Sequence, residues 1–337
     1  MTASNMRRGV RTGALLILAL VVATWVAVSL PAGRAPLAAN GPITFARSAG
    51  RDADLLEIDA VTGSARVLVS GRGTVSTPAW SRDGRSLAYA WRDPTQGGFR
   101  IRVVDAQGGA DRVLTPGDAI DGHPTWSPDG DRIAFASNRG GKRFGIFVIR
   151  SDGSGAVRLI DGQAPAWSPS GRWIAFVRLV DGQHDLFLVQ PDGGGVRRLT
   201  TDRGDDIDPA WTPDGSAIVF ASDRAGDLDL YRLDVETGAV SELLRGFGDD
   251  RDPAVSPDGR LIAFSRVVDG NADLWLTDGT GEAWQLTADR LFDVGAAWRP
   301  RDASPSAVRT GAAGSSLAQG SRSRMPRKER HGPTAVS

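Results

Sequence analysis

Short apolar runs separated by polar, glycine-containing turns follow one another along most of the chain. The segment that starts at Pro209 shows the pattern: after a short run at 210–211, residues 217–220 are β-branched and aromatic, residues 229–233 alternate apolar and polar positions, and residues 240–244 form a fourth run. Alternation with a period of two is typical of half-buried strands and differs from the 3.6-residue period of a helix. The pattern predicts four antiparallel strands joined as a meander.

The same pattern returns six times behind a phrase close to Pro-x-Trp-Ser-Pro-Asp-Gly. The third position of this phrase recurs every 41 to 46 residues and is occupied by Trp80, Trp126, Trp167, Trp211, Val255 and Trp298. A period of about 40 to 45 residues built from short strands is the pattern of propeller blades. We expect the recurrent tryptophans to pack between neighbouring blades, because each blade must bury its sheet against the next.

The two ends of the repeat region complement each other. Residues 43–46, 54–58 and 65–69 supply a second, third and fourth strand without a first, and residues 294–298 supply a first strand alone. Pairing of 294–298 with 43–46 would complete a blade and leave no unpaired inner edge. The sequence therefore predicts an all-β fold, a six-bladed β-propeller of four-stranded antiparallel blades over residues 42–300.

The segment before the propeller carries a targeting pattern. Residues 14–30 are largely apolar and follow three arginines, as in a hydrophobic helix that serves either as a cleaved signal peptide or as a membrane anchor. Arginines on the near side of such a segment predict that residues 1–13 are a short basic cytoplasmic segment. Residues 31–41 would then be a linker. We expect a propeller outside the cytoplasm, either anchored in the membrane or secreted.

Charge is distributed unevenly although the chain as a whole balances 40 basic against 40 acidic residues. Residues 1–41 carry a net charge of +4, residues 42–300 carry −9, and residues 301–337 carry +5. The last segment is rich in Ser, Gly and Arg and poor in apolar residues, which predicts a disordered basic tail. Because the acidic propeller repels phosphates, nucleic acid is not an expected partner.

Composition also limits the chemistry. The chain has no cysteine, which rules out disulfides and cysteine-based metal sites. None of its three histidines, His123, His184 and His331, stands in a pattern that indicates a Ser-His-Asp triad. Tyr89 and Tyr231 occupy strand positions that hold Phe or Trp elsewhere, so we interpret both as packing residues. We therefore predict no catalytic residues.

Acidic residues collect just before the first strand of several blades. Since first strands line the central channel of a propeller, these side chains would converge on one rim. Oxygen ligands without cysteine would suit Ca²⁺ or Mg²⁺, and a negative rim would also attract a cationic segment of a partner. The simpler alternative is that Asp beside Pro and Gly only favours turns. The candidate rim residues are Asp121, His123, Asp206, Asp208, Asp250, Asp252 and Asp293.

The repeat itself resembles a known family. The text Trp-Ser-Pro-Asp-Gly-x-x-Ile-Ala-Phe-x-Ser-x-Arg-x-Gly, clearest at 126–140 and 211–226, is similar to the WD40-like (PD40) repeat of TolB-type propellers. The resemblance implies an extracytoplasmic propeller that binds other proteins or components of the cell envelope without catalysis. The alternative is a hydrolase or lyase that acts on cell-wall polymer or carbohydrate through the rim acids and His123.

Overall fold

The computed structural model describes residues 40–301, apart from residues 49, 51, 72, 96 and 142. Within this part of the chain, 24 strands form six antiparallel sheets of four strands each. The prediction of a six-bladed all-β propeller is confirmed.

Blades 1 to 5 follow one another in chain order. Blade 1 contains β4 (Thr74–Trp80), β5 (Ser86–Arg92), β6 (Arg100–Asp105) and β7 (Arg112–Val113), and blade 2 contains β8 (Asp121–Trp126), β9 (Arg132–Ser137), β10 (Gly145–Arg150) and β11 (Val157–Asp161). Blade 3 contains β12 (Gln163–Trp167), β13 (Ile174–Val180), β14 (Gln183–Val189) and β15 (Arg197–Arg198), and blade 4 contains β16 (Asp206–Trp211), β17 (Ala217–Ser222), β18 (Asp229–Asp234) and β19 (Val240–Leu244). Blade 5 contains β20 (Asp249–Val255), β21 (Ile262–Val268), β22 (Asn271–Thr277) and β23 (Ala283–Gln285).

Blade 6 joins the two ends of the described chain. Its strands are β24 (Phe292–Trp298), β1 (Ile43–Ser48), β2 (Ala53–Ile58) and β3 (Ala65–Val69), in that order across the sheet. Ile43 pairs with Trp298 and Ala46 with Val294, which is the closure that the sequence predicts.

The predicted hydrophobic helix at 14–30 lies outside the described residues, as do residues 1–13, residues 31–39 of the predicted linker and residues 302–337 of the predicted tail. Among residues 40–301, as far as they are described, no helix has the length and apolar character needed to cross a membrane.

Apolar side chains of neighbouring blades pack against each other, and the repeated tryptophans belong to these contacts. Trp80, Trp167 and Trp298 are buried in clusters that join two blades each. The indole N–H of Trp211 donates to the carbonyl of Ala166 in the preceding blade at 3.0 Å. Trp126 and Trp298 make the equivalent bond to the blade before them, also at 3.0 Å. The predicted packing role of the tryptophans is confirmed.

Each first strand contains an irregularity at the same place. The register against the second strand shifts by a residue in β4, β8, β12, β16, β20 and β24. A bulge of this kind inserts an extra residue and re-aims its side chain. The six bulges place one residue of every blade at the central channel.

Candidate functional site at the channel

The site is a ring of six equivalent residues, one from each first strand. Each ring residue adopts a positive φ, between 47° and 54° at the five non-glycine positions and 69° at the glycine. With the residues that follow them, they enclose a cavity of about 140 Å³. In order around the channel, the ring residues are Thr77, His123, Ala164, Asp208, Asp252 and Gly295.

Backbone strain at the ring belongs to the blade and not to any one side chain. A positive φ is uncommon for residues other than glycine and costs free energy. Here it recurs in every blade, and it occurs at Ala164 as well as at the charged positions. The bulge therefore fixes where the side chain is presented, and residue identity decides the chemistry.

Two neighbouring blades contribute carboxylates to this ring. Asp208 and Asp252 have no hydrogen-bond or ion-pair partner among the described residues. Removal from bulk water, together with the charge of Asp208, raises the pKa of Asp252 to about 7, although Arg251 opposes the shift. Asp252 therefore loses its proton near neutral pH, where an unperturbed aspartate is fully ionised.

His123 faces the same cavity. Its side chain is accessible from the channel, yet protein surrounds the channel on all sides. Desolvation lowers the pKa of His123, and the nearby charge of Asp208 only partly offsets that effect. At neutral pH the ring thus presents a neutral imidazole together with two acids.

The other four predicted rim acids lie elsewhere, and the expectation that all six acids meet at the rim needs correction. These four side chains are buried, at most 2% exposed, and form ion pairs with arginines of the same blade. The pairs are Asp121 with Arg139, Asp206 with Arg224, Asp250 with Arg266, and Asp293 with Arg47. They fill the inside of the blades and are not part of the ring.

These arginines are a feature that the sequence analysis missed. Arg266 binds both carboxylate oxygens of Asp250, at 2.7 and 2.8 Å, and lies 5.3 Å from the ring centre of Phe264 and 4.8 Å from that of Trp275. The aromatic faces favour a cation, so they help to hold the guanidinium in place. The sequence feature that could have indicated them is an arginine two or four residues after the Phe that recurs in the second strand.

Metal binding by the ring has limited support from the residues present. No group of three or more His, Cys, Asp or Glu residues in the described part of the chain is arranged to hold a metal ion. Ca²⁺ takes six to eight oxygen ligands, and the ring offers two carboxylates. A divalent cation here would keep most of its water, so Ca²⁺ or Mg²⁺ binding stays a prediction.

Comparison with known proteins places the repeat in a family. The model of the TolB beta propeller domain, PD40, matches residues 41–163 and 161–304. The crystal structure of TolB from Acinetobacter baumannii has a TM-score of 0.69 and 21% identity, covering 77% of this chain and 67% of that one. At this identity the likeness concerns the fold.

Two curated relatives match over short segments. The Tol-Pal system protein TolB of Syntrophus aciditrophicus is 42% identical over 38 residues, which is 11% of this chain. Dipeptidyl-peptidase 5 of Porphyromonas endodontalis is 36% identical over 59 residues, or 16% of this chain. This chain spans only 8% of the length of either relative. Because the family model covers most of the chain, the protein belongs to the TolB beta propeller (PD40) family.

Proposed function

We propose that this protein is a binding scaffold of the cell envelope, exported by its N-terminal segment, whose channel ring captures a cationic segment of a partner protein. Membership of the TolB propeller family supports a binding role, and similarity to a protein of the Tol-Pal system supports an extracytoplasmic location. The apolar segment at 14–30 is the proposed membrane anchor or signal peptide.

One observation carries the proposal: Asp208 and Asp252 lie unpaired on adjacent blades of the channel. Burial and the charge of Asp208 favour protonation of Asp252 by raising its pKa. An ammonium or guanidinium group between the two side chains would favour the ionised form of Asp252, and in a low-dielectric channel this attraction is stronger than at the surface. The small residues Ala164 and Gly295 line a cavity of about 140 Å³, which has room for the cationic end of one side chain.

The test uses the full-length chain and a defined cationic probe, an acetylated and amidated trilysine peptide, in calorimetry at low salt. We expect Asp208→Asn/Asp252→Asn to weaken binding at least about tenfold, as loss of charge-assisted hydrogen bonds would. Asp131→Asn/Asp227→Asn, which removes two exposed carboxylates, is the matched control for net charge. Equal binding by the two double variants would refute a role for the channel ring.

Binding should also depend on pH in a defined direction. A cation needs Asp252 in its ionised form, and its pKa is about 7, so affinity should rise between pH 6 and pH 8. Protonation of His123 at lower pH would act in the same direction. The same titration with Ca²⁺ in place of the peptide tests the proposed divalent-cation site.

A hydrolase or lyase is the second candidate, and the raised pKa of Asp252 is what favours it. A protonated carboxyl beside an ionised one is the arrangement of a general acid and its partner in polysaccharide cleavage. Asp252→Asn would abolish turnover of a cell-wall polysaccharide if this candidate were right. Under the scaffold proposal, the purified protein releases no product from peptidoglycan or acidic polysaccharide.

A further inference from the structure

In five of the six blades, a position two residues before the bulge and a position shortly after the second-strand aromatic residue are either both charged or both uncharged. Four blades pair a buried aspartate of the first strand with an arginine that follows the second-strand aromatic residue. Blade 1 carries neither group, and Val75 pairs there with Trp91. In these five blades the charges are either both present or both absent.

Blade 3 is the exception. It keeps the arginine, Arg178, two residues after Phe176, but the position before Gln163 is Gly162 instead of an aspartate. Gly162 directly joins β11 to β12, and a Cβ at this position would lie 2.5 Å from Cδ2 of Phe176. A side chain at position 162 would meet the ring of Phe176, so blade 3 itself supplies no carboxylate to Arg178.

Arg178 is held in position all the same. Its guanidinium carbon lies 5.8 Å from the ring centre of Phe176 and 5.4 Å from that of Phe187, as in the paired blades. Its Nε donates to the backbone carbonyl of Asp161 at 3.2 Å. Its two terminal nitrogens have no acceptor among the described residues. The guanidinium of Arg178 is thus held in place while its two terminal nitrogens remain able to donate to an anion.

Nearby acids do not form an ion pair with the guanidinium of Arg178. The carboxylate of Asp161 forms an ion pair with Arg158. The hydrogen bond that Arg158 donates to Asp161, together with the charges of Arg158, Arg178 and Arg143, holds the pKa of Asp161 below its ordinary value. Asp181 lies at the exposed tip of the β13–β14 hairpin. The pocket wall thus holds Arg143 and Arg178 together with the carboxylates of Asp161 and Asp181, and neither carboxylate forms an ion pair with Arg178.

Arg178 opens onto a pocket with the size and lining of a small-ligand site. The pocket has a volume of about 570 Å³, and Arg143 adds a second positive group to its wall. Phe144 and Leu179 supply apolar surface. His184 and Gln163 supply polar groups, and their side-chain nitrogens lie 3.2 Å apart. Pockets that combine apolar walls with a few placed polar groups are typical of ligand sites.

We propose that this pocket binds an organic carboxylate, whose two oxygens pair with Arg178 at the place that aspartate occupies in blades 2, 4, 5 and 6. Arginine and carboxylate match in a planar, bidentate geometry, which a single-point cation does not offer. The apolar body of the ligand packs on Phe144 and Leu179. The carboxylate belongs either to a free acid or to the C-terminus of a peptide.

The experiment titrates the full-length chain with N-acetyl-L-phenylalanine, with its amide, and with the peptide Gly-Gly-Phe. We expect the two acids to bind and the amide to bind at least about tenfold more weakly, because it lacks the anion. Tighter binding of Gly-Gly-Phe indicates a peptide terminus, and tighter binding of the acetylated amino acid indicates a free acid. Equal binding of acid and amide, or no binding of either acid at millimolar concentration, overturns the proposal.

Two arginine variants separate ligand binding from a structural role. Arg178→Gln should weaken acid binding about 10- to 100-fold and leave the unfolding midpoint of the free protein unchanged or raised, because it removes an uncompensated charge. Arg266→Gln, which strands Asp250, should lower that midpoint and leave acid binding unchanged. If Arg178→Gln lowers the midpoint as much as Arg266→Gln does, Arg178 is structural and the proposal fails. Asp208→Asn/Asp252→Asn should not affect this site, so the two proposals fail independently.

Discussion

The ion pair between Asp250 and Arg266 allows a quantitative test of how the blades are held together. The side chain of Asp250 is 0% exposed, and both of its oxygens accept hydrogen bonds from Arg266 at 2.7 and 2.8 Å. Arg266→Met keeps the length of the side chain and removes its charge. It leaves a buried carboxylate without a partner, a change that costs about 3–5 kcal/mol in comparable buried pairs.

The double variant Asp250→Val/Arg266→Met should recover most of this loss. Blade 1 already has an apolar pair at the equivalent position, where Val75 pairs with Trp91. Replacing a buried ion pair by apolar residues of similar volume is often neutral or stabilising. We therefore expect the double variant to lie within about 1 kcal/mol of the natural protein, and the coupling free energy to exceed about 2 kcal/mol.

The pH dependence of the single variant gives a second, independent check. Burial raises the pKa of Asp250 even with Arg266 present, and loss of that arginine raises it further. A carboxyl whose pKa is higher in the folded state stabilises the fold in its protonated form, and this stabilisation is lost as pH rises through the folded pKa. The penalty of Arg266→Met should therefore be large at pH 7 and smaller at pH 4.5.

Urea unfolding followed by tryptophan fluorescence at pH 7 and pH 4.5 measures all of these quantities. Two results would contradict the reasoning. One is a penalty below about 1 kcal/mol for Arg266→Met at pH 7, since an unpaired buried charge costs several times that amount. The other is a double variant as unstable as the single one, which would mean that the position requires charge and not merely volume.

Three further predictions concern the ring, a cavity and the contact between blades. Asp252→Asn should raise the free energy of unfolding at pH 8 and lose this advantage at pH 4, because a folded-state pKa of about 7 means that ionisation of Asp252 opposes folding. The full pKa shift corresponds to about 4 kcal/mol, and solvent screening reduces the expected gain to about 1–2 kcal/mol. Urea unfolding at the two pH values measures it. Gly122→Val should raise the free energy of unfolding by about 1 kcal/mol, since a Cβ there meets nothing within 4 Å, the adjoining cavity measures about 210 Å³ and Val294 occupies the equivalent position in blade 6. A lower free energy of unfolding would show that the cavity cannot accept a side chain. Trp211→Phe should cost about 1–3 kcal/mol because it removes the donor to the carbonyl of Ala166 and some packed area, and a midpoint equal to that of the natural protein would deny the indole a role in joining blades 3 and 4.

The sequence predicted the fold well because its signals are local and repeated. Each blade needs its own turn, as at Asp214, which accepts hydrogen bonds from Thr212 and from the amide of Ser216 at 2.6 and 3.1 Å. Each blade also needs a residue that fastens it to the blade before. A closed ring imposes these needs six times, so the same letters return at nearly constant spacing. The unmatched ends of the pattern then predicted where the ring closes.

The site was harder to predict because a bulge breaks the alternation on which the prediction depends. In a regular strand, Asp206 and Asp208 would lie on the same face. The bulge at Asp208, where φ is 54°, turns that residue into the channel and leaves Asp206 inside the blade beside Arg224. Sequence reasoning without the backbone could not separate the two acids.

The buried ion pairs were missed for a related reason. Their partners come from different strands, and their separation varies: Asp206 pairs with a residue 18 positions later, and Asp250 with one 16 positions later. A pair whose spacing changes from blade to blade leaves no fixed phrase in the sequence. Only the register between the first two strands makes the partners evident.

Because the six blades share one backbone plan, each blade serves as a control for the others. Features that recur, such as the positive φ of the ring residues, are requirements of the architecture and say little about a ligand. Features that occur in only one or two blades are not required by the shared backbone of the blades, and an unpaired charge among them reduces stability. Two unpaired acids in the ring and one arginine without its aspartate are such departures, and each presents a charge that folding alone does not explain. Charges of this kind are costly to keep unpaired, which is the physical reason to look for their counter-ions outside this chain.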